Sequence, residues 1–208
     1  MLNNPAARKV VGGVIEPPAR LLLRMGVSPD AVTVFGTVAV VATALICLPQ
    51  GWFVAAVAII LVLAFSDLLD GTMARMAGTS GPWGNFLDAT LDRIGDGAIF
   101  GGLALYGAFH DQPWLTAGAV FALVVGQVTS YAKARAEAVG ATANVGIAER
   151  AERLIIVGIA TLLAGFGVPY VLAATLWLLG VLGLITILQR VIVVRRQLKP
   201  AAGESTDV

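Results

Sequence analysis

Asp67 and Asp70 stand three residues apart, and Asp88 and Asp92 four apart. On an α-helix both spacings put side chains on one face, a turn from each other. Two such helices facing one another aim four carboxylates at one point. That is a site of hard oxygen ligands, suited to magnesium, manganese or calcium rather than zinc. Each pair lies at the end of an apolar stretch, and acids at membrane depth are costly enough to mark function by default. Gly71 follows the second acid directly, and its bare backbone admits a large ligand. Arg75, one turn on, carries the planar donor fork that pairs with a phosphate. Gly84 opens the second helix where it would pass close to the first. Helix caps seldom need four acids with an arginine in register, so metal-assisted phosphate chemistry is the stronger reading.

The elements that must position these residues lie in a membrane. Of 208 residues, 58% are hydrophobic and 13% charged, with a mean hydropathy of +0.86. Soluble domains are nearer 25% charged, so the chain reads as an all-α polytopic membrane protein with little room for a soluble domain. A net charge of +1 says nothing about partners, and no nucleic acid is expected. The single cysteine, Cys47, lies in an apolar run and excludes a disulfide framework. Glu16, Pro17, Pro18, Arg20 and Arg24 interrupt the first apolar run, which is therefore not a signal peptide.

Residues 1–26 alternate basic and apolar groups, and we expect an interfacial amphipathic helix there on an anionic leaflet, broken or kinked at Pro17 and Pro18. Residues 27–199 should form one membrane domain of six transmembrane helices, and 200–208 a disordered tail. Ser28 or Asp30 would cap the first span, about 31–48. The others should cover about 52–76, 83–109, 114–139, 147–167 and 169–194. All 14 Lys and Arg lie near the N-terminus, the second–third and fourth–fifth connections, or the C-terminus. The positive-inside rule then puts both termini and the acid motif on the cytoplasmic side of a multi-pass plasma-membrane protein. His110 falls on the opposite face and reads as a turn residue.

A second constellation lies on spans four to six. Arg195, Arg196 and Lys199 suit ordinary flanking cations that reach for headgroups. Arg153 and Arg190 suit that less well, because each sits inside an apolar run. With Lys133 they could converge on an anion beside the metal site, and Ser130, three residues before Lys133, could add a donor. Such a pocket argues for a phosphorylated acceptor.

The whole string from Asp67 to Asp92, D-x2-D-G-x2-A-R-x8-G-x3-D-x3-D, resembles the signature of the CDP-alcohol phosphotransferase family, with all eight fixed positions filled, Ala74 included. The resemblance implies a CDP-diacylglycerol donor whose pyrophosphate is held by Mg2+ or Mn2+, in a two-ion site. It implies attack by an acceptor hydroxyl on the phosphorus bearing the lipid, with CMP leaving. Asp67, Asp70 and Asp88 would be metal ligands. Asp92 would be the general base and could also touch a metal, two roles that compete. Gly71, Arg75 and the 79–81 loop, with Ser80 and Gly81, would hold the nucleotide and phosphates. The segment Asp30, Ala31, Val32 and Thr33 would supply the other nucleotide-side contact, although many relatives have Asn where Asp30 stands. A homodimer is implied as well. The stretches Met1–Asn3, Gly26–Thr33, Ser130–Glu137 and Gly146–Arg153 resemble the actinobacterial branch of the family. That implies 1D-myo-inositol 3-phosphate as acceptor and phosphatidylinositol phosphate as product. Glycerol 3-phosphate, the acceptor of phosphatidylglycerophosphate synthases, is the alternative.

A transporter also places acids and arginines in a membrane. Here the acids cluster at one end of the helices, and no broken-helix pair or internal repeat accompanies them. A structural scaffold leaves the four acids without a purpose.

Overall fold

A computed structural model describes residues 5–147 and 149–199, without the side chains of residues 5–12 and 65–67. The expected tail at 200–208 lies outside the described residues, as does the Asp67 side chain. The described residues are helical throughout apart from turns and connections: α1 (Pro5–Arg24), α2 (Pro29–Cys47), α3 (Phe53–Ala77), α4 (Pro82–Phe109), α5 (Pro113–Ala138), α6 (Arg150–Gly165) and α7 (Val171–Leu198). Four of them, α2, α3, α5 and α7, are long and apolar enough to cross a membrane. The 28 residues of α4 include Asp88, Asp92, Arg93 and Asp96 among its first fifteen, and α6 has only 16 residues. Two compact units divide the chain between Gly102 and Leu103, within the run of α4.

In the first unit α1 and α2 both pack on α3. The helix α1 continues through Pro17 and Pro18, where a break or a kink was expected, so the chain is not broken there. Proline's fixed φ is compatible with a helix, and what it removes is a donor to the carbonyl four residues back. Those carbonyls belong to Gly13 and Val14, both at exposed positions, so they do not stay buried without a partner. Ile15 and Ala19, one turn apart, are the buried face of this helix. At the start of α2 the Ser28 hydroxyl accepts from the Ala31 amide at 3.2 Å, so Ser28 is the cap and Asp30 is released for another contact. Further on, α4 crosses α2 at Gly102, where a Cβ would lie 2.5 Å from the Ala44 carbonyl oxygen. Only a glycine permits that approach. The outward faces carry Phe35, Val38, Leu61 and Val62, as helices solvated by hydrocarbon require.

In the second unit α5 and α7 pack closely along small residues. Gly118 lies against Trp177, Gly180 against Phe121 and Gly183 against Val125. The Trp177 indole donates to the Trp114 carbonyl at 3.0 Å. The start of α6 is set by a capping box between Glu149 and Glu152, which puts its first residue at Arg150 rather than near Ile147. α7 begins at Val171, two residues later than expected, because Tyr170 takes a left-handed conformation at φ 59°.

The connection at 141–147 runs antiparallel along one face of α7. The Thr142 amide donates to Gln197 Oε1 at 2.9 Å, and Gln197 Nε2 donates back to the Thr142 carbonyl at 2.8 Å. Ala141 and Ala143 pack with Val194. Arg190 Nε donates to the Val145 carbonyl at 3.0 Å, and the Ile147 amide donates to Thr186 Oγ1 at 3.3 Å. Positions 186, 190, 194 and 197 are spaced by four, four and three, a single helical stripe.

Candidate active site

The ends of three helices in the first unit surround a cavity of about 320 Å³. The first turns of α2 supply Asp30 and Thr33, the last turns of α3 supply Asp70, Gly71, Ala74 and Arg75, and the first turns of α4 supply Gly84 and Asp88. The short connection between α3 and α4 adds Ser80 and Gly81. That connection is tight because Gly78 ends α3 in the left-handed conformation, at φ +67°, which favours glycine.

Ten expected site residues therefore meet at one cavity, from stretches separated by up to 58 positions in sequence, Asp30 to Asp88. Ala31, Val32 and Asp92 are not on its wall. Thr79, from the expected 79–81 loop, lines it too, as do Pro29, Asn85 and Leu87, which spacing alone did not single out. Asp70 is buried, at 9% exposure, whereas Asp88 is exposed. Among the described residues no three acids gather closely enough to share a metal ion, and the Asp67 side chain is outside that set.

Two hydrogen bonds tie the three helices together. The Thr33 hydroxyl donates to Asp70 Oδ2 at 2.6 Å, joining α2 to α3. The Trp83 indole donates to Asp30 Oδ2 at 2.8 Å, joining α4 to α2. The contact of Trp83 with Asp30 is one the sequence reading missed. The available signal was a tryptophan directly after Pro82 at a helix start, where an amphipathic ring suits the membrane interface. Arg75 donates to Thr72 Oγ1 at 2.9 Å, and its other terminal nitrogen would lie 3.9 Å from a Cβ placed on Gly71. The guanidinium thus lies over the bare backbone of Gly71, at the cavity wall. Asp96, one turn beyond Asp92, pairs with Arg93 at 3.4 Å. His110 stacks on Tyr106 with ring centroids 4.2 Å apart, in keeping with a turn role.

The donor set fits a hard divalent cation. Asp70 and Asp88 present carboxylate oxygens to one cavity, and Asp70 already has the hydrogen-bonded partner that orients a ligating carboxylate. Phosphate groups fit as well, since Arg75 and the loop at Ser80 and Gly81 lie on the same wall.

The expected cationic pocket belongs to the second unit, and three of its four members are neighbours. The Arg153 side chain, 6% exposed, lies against Gly126, where a Cβ would come within 2.5 Å of its terminal nitrogen. The Ser130 hydroxyl donates to the Gly126 carbonyl at 3.2 Å. Arg190, 8% exposed, donates through a terminal nitrogen to the Thr129 carbonyl and through Nε to Val145. Lys133 is exposed on the last turns of α5. Arg190 therefore has a structural duty that its position in the sequence did not reveal.

The model of the CDP-alcohol phosphatidyltransferase family matches residues 26–193. The phosphatidylinositol phosphate synthase of Streptomyces avermitilis is 48% identical over 202 residues, covering 93% of this chain and 83% of that protein. The synthase of the same name from Cutibacterium acnes is 46% identical over 193 residues, covering 88% and 93%. Among solved structures, the phosphatidylinositol phosphate synthase of Mycobacterium tuberculosis with CDP-diacylglycerol bound is similar with a TM-score of 0.84 at 43% identity, over 89% of this chain and 97% of that one. The same synthase in complex with manganese and citrate gives a TM-score of 0.83 at 43% identity, over 89% and 92%.

Proposed function

We propose a function from a plain premise: this chain belongs to the CDP-alcohol phosphatidyltransferase family. It is a membrane transferase of phospholipid biosynthesis that moves the phosphatidyl group of CDP-diacylglycerol to 1D-myo-inositol 3-phosphate. The products are phosphatidylinositol phosphate and CMP. The observation that carries this reading is the cavity in the first unit, which gathers Asp70 and Asp88 with Gly71, Arg75 and Gly81. It offers carboxylates for a divalent cation and donors for a pyrophosphate at once.

Asp67, Asp70, Asp88 and Asp92 hold magnesium or manganese, which when bound neutralises the pyrophosphate and the charge growing on the departing CMP. Arg75 and the backbone at Gly71 and Gly81 hold the phosphates, and the α2 start from Asp30 to Thr33 flanks the nucleotide. Asp92 takes the proton from the acceptor hydroxyl. That oxygen forms a bond to the phosphorus bearing diacylglycerol, and the bond from this phosphorus to the CMP oxygen breaks. Ser130, Lys133, Arg153 and Arg190 recognise the acceptor's phosphate and supply this charge selectivity.

The helices α2 to α7 each cross the membrane. By helical rise α4 is about 42 Å long, beyond a hydrocarbon thickness of about 30 Å, and α6 about 24 Å, a shortfall met by local thinning of the bilayer. The connections after α2, α4 and α6 contain no Lys or Arg, while those after α3 and α5 are flanked by Arg75, Lys133, Arg135 and Arg150. Both termini and the cavity are thus cytoplasmic, and α1 lies in the interface with Arg20 and Arg24 toward the headgroups. The enzyme works as a homodimer.

The test is CMP release by purified protein with magnesium and CDP-diacylglycerol, comparing inositol 3-phosphate, free inositol and glycerol 3-phosphate. Release with inositol 3-phosphate alone is expected. Release with glycerol 3-phosphate alone would keep the chemistry and overturn the acceptor, and no release with any would overturn the transferase reading.

A further inference from the structure

The Thr33 hydroxyl bonds differently from most helical threonines described; Thr116 also reaches beyond its own turn, but to a main-chain carbonyl, that of Ala104 at 3.3 Å, where Thr33 meets a carboxylate. Thr37, Thr72, Thr90, Thr129, Thr161 and Thr186 each donate to the carbonyl four residues back, at 2.7–3.0 Å. That is the ordinary fate of a threonine hydroxyl in a helix. Thr33 has the same carbonyl within reach, at Pro29, but at 3.2 Å. Its contact with Asp70 Oδ2 is 2.6 Å. A hydroxyl has one proton to give. The shorter bond, to a carboxylate oxygen, is the stronger one. The proton therefore goes to Asp70, and the local helix bond is given up for a contact spanning 37 positions.

Asp70 is buried at 9% exposure on the cavity wall. A buried carboxylate with one oxygen pinned has its plane and rotamer set before any ligand arrives. The start of α2 that carries Thr33 is also held by the Trp83 indole on Asp30, so the pinning group is not on a loose end.

We propose that Thr33 is a positioning residue for the metal site: its hydroxyl orients the Asp70 carboxylate for a divalent cation. This rests on the function proposed above, in which Asp70 is a ligand. It gives Thr33 a role separate from nucleotide contact, and the two roles predict different losses. A nucleotide contact would be felt only with nucleotide present. A positioning role is felt by the metal alone. Partners of this kind, once removed, cost roughly 10–100-fold in metal affinity.

The experiment is a titration of the full chain in detergent with Mn2+ alone, without nucleotide or acceptor, reading free Mn2+ by electron paramagnetic resonance. Thr33→Val keeps shape and removes the hydroxyl, Thr33→Ser keeps the hydroxyl, and Asp70→Asn removes the ligand. The expected result is a Kd raised about tenfold in Thr33→Val, close to the unaltered protein in Thr33→Ser, and binding largely lost in Asp70→Asn. Should Thr33→Val not give a folded protein, Thr33→Ala carries the same comparison at reduced volume. Unchanged Mn2+ affinity in the hydroxyl-free variant, with Asp70→Asn still losing binding, overturns the role of Thr33 alone. Unchanged affinity in Asp70→Asn overturns the metal reading of the cavity.

Discussion

Replacing Arg190 with methionine should loosen the connection between α5 and α6 and lower the melting temperature. The side chain is buried and its guanidinium bridges Val145 on that connection and Thr129 on α5. The two carbonyls do not lose equally. Thr129 lies inside α5, so its carbonyl keeps the helical amide four residues on, and the loss there is about 1 kcal/mol. The Val145 carbonyl lies in a connection without helical pairing, so leaving it without Arg190 costs about 1–3 kcal/mol. Together that is about 2–4 kcal/mol. At roughly 2–4 °C per kcal/mol for a chain of this size, the melting temperature falls by roughly 4–16 °C. Intrinsic tryptophan fluorescence on heating in detergent reads the shift, and limited proteolysis reads the connection. Arg190→Lys should fall between the two, since one ammonium cannot span both carbonyls as a planar fork does. A methionine variant that melts with the unaltered protein, and whose 141–147 segment resists protease equally, would refute the reasoning.

Other expectations follow from single contacts. Trp83→Phe keeps the ring and removes the donor to Asp30; at about 1 kcal/mol for an exposed hydrogen bond, the KM for CDP-diacylglycerol should rise about fivefold or less, with kcat little changed. Gly102→Val puts a branched side chain where a Cβ already lies 2.5 Å from the Ala44 carbonyl, which should cost about 1–3 kcal/mol and show as a lower melting temperature. Asp92→Asn should abolish CMP release while CDP-diacylglycerol still binds in a direct binding assay, and retained turnover would remove it as the base. Arg153→Ala should raise the KM for inositol 3-phosphate far more than that for CDP-diacylglycerol, and equal effects on both would remove it from acceptor recognition.

Much of the molecule was legible before any coordinates. The i, i+3 and i, i+4 acid pairs, Gly71 and Arg75 announce phosphate chemistry because helical periodicity is local and fixes which side chains share a face. Apolar runs punctuated by Pro and Gly place seven helices within a few residues, because hydrocarbon tolerates little else. What spacing left open lies at ends and at prolines, where neighbours decide. Spacing left Ser28 and Asp30 both open as the cap of α2; Ser28 takes that place, and the Asp30 carboxylate accepts from Trp83 across 53 positions. α1 continues through Pro17 and Pro18, since the carbonyls they strand lie at exposed positions.

What tertiary structure alone decided is which partner each polar group chose. No periodicity pairs Thr33 with Asp70, or Arg190 with the carbonyls of Thr129 and Val145. In a chain so poor in polar groups, packing decides which acceptor a buried donor such as the Arg190 guanidinium reaches. Packing depends on where glycines such as Gly102 and Gly126 let helices and side chains approach. Sequence spacing named the chemistry because local geometry is set by the helix itself. The orientation of the groups that perform it came from contacts between helices distant in sequence.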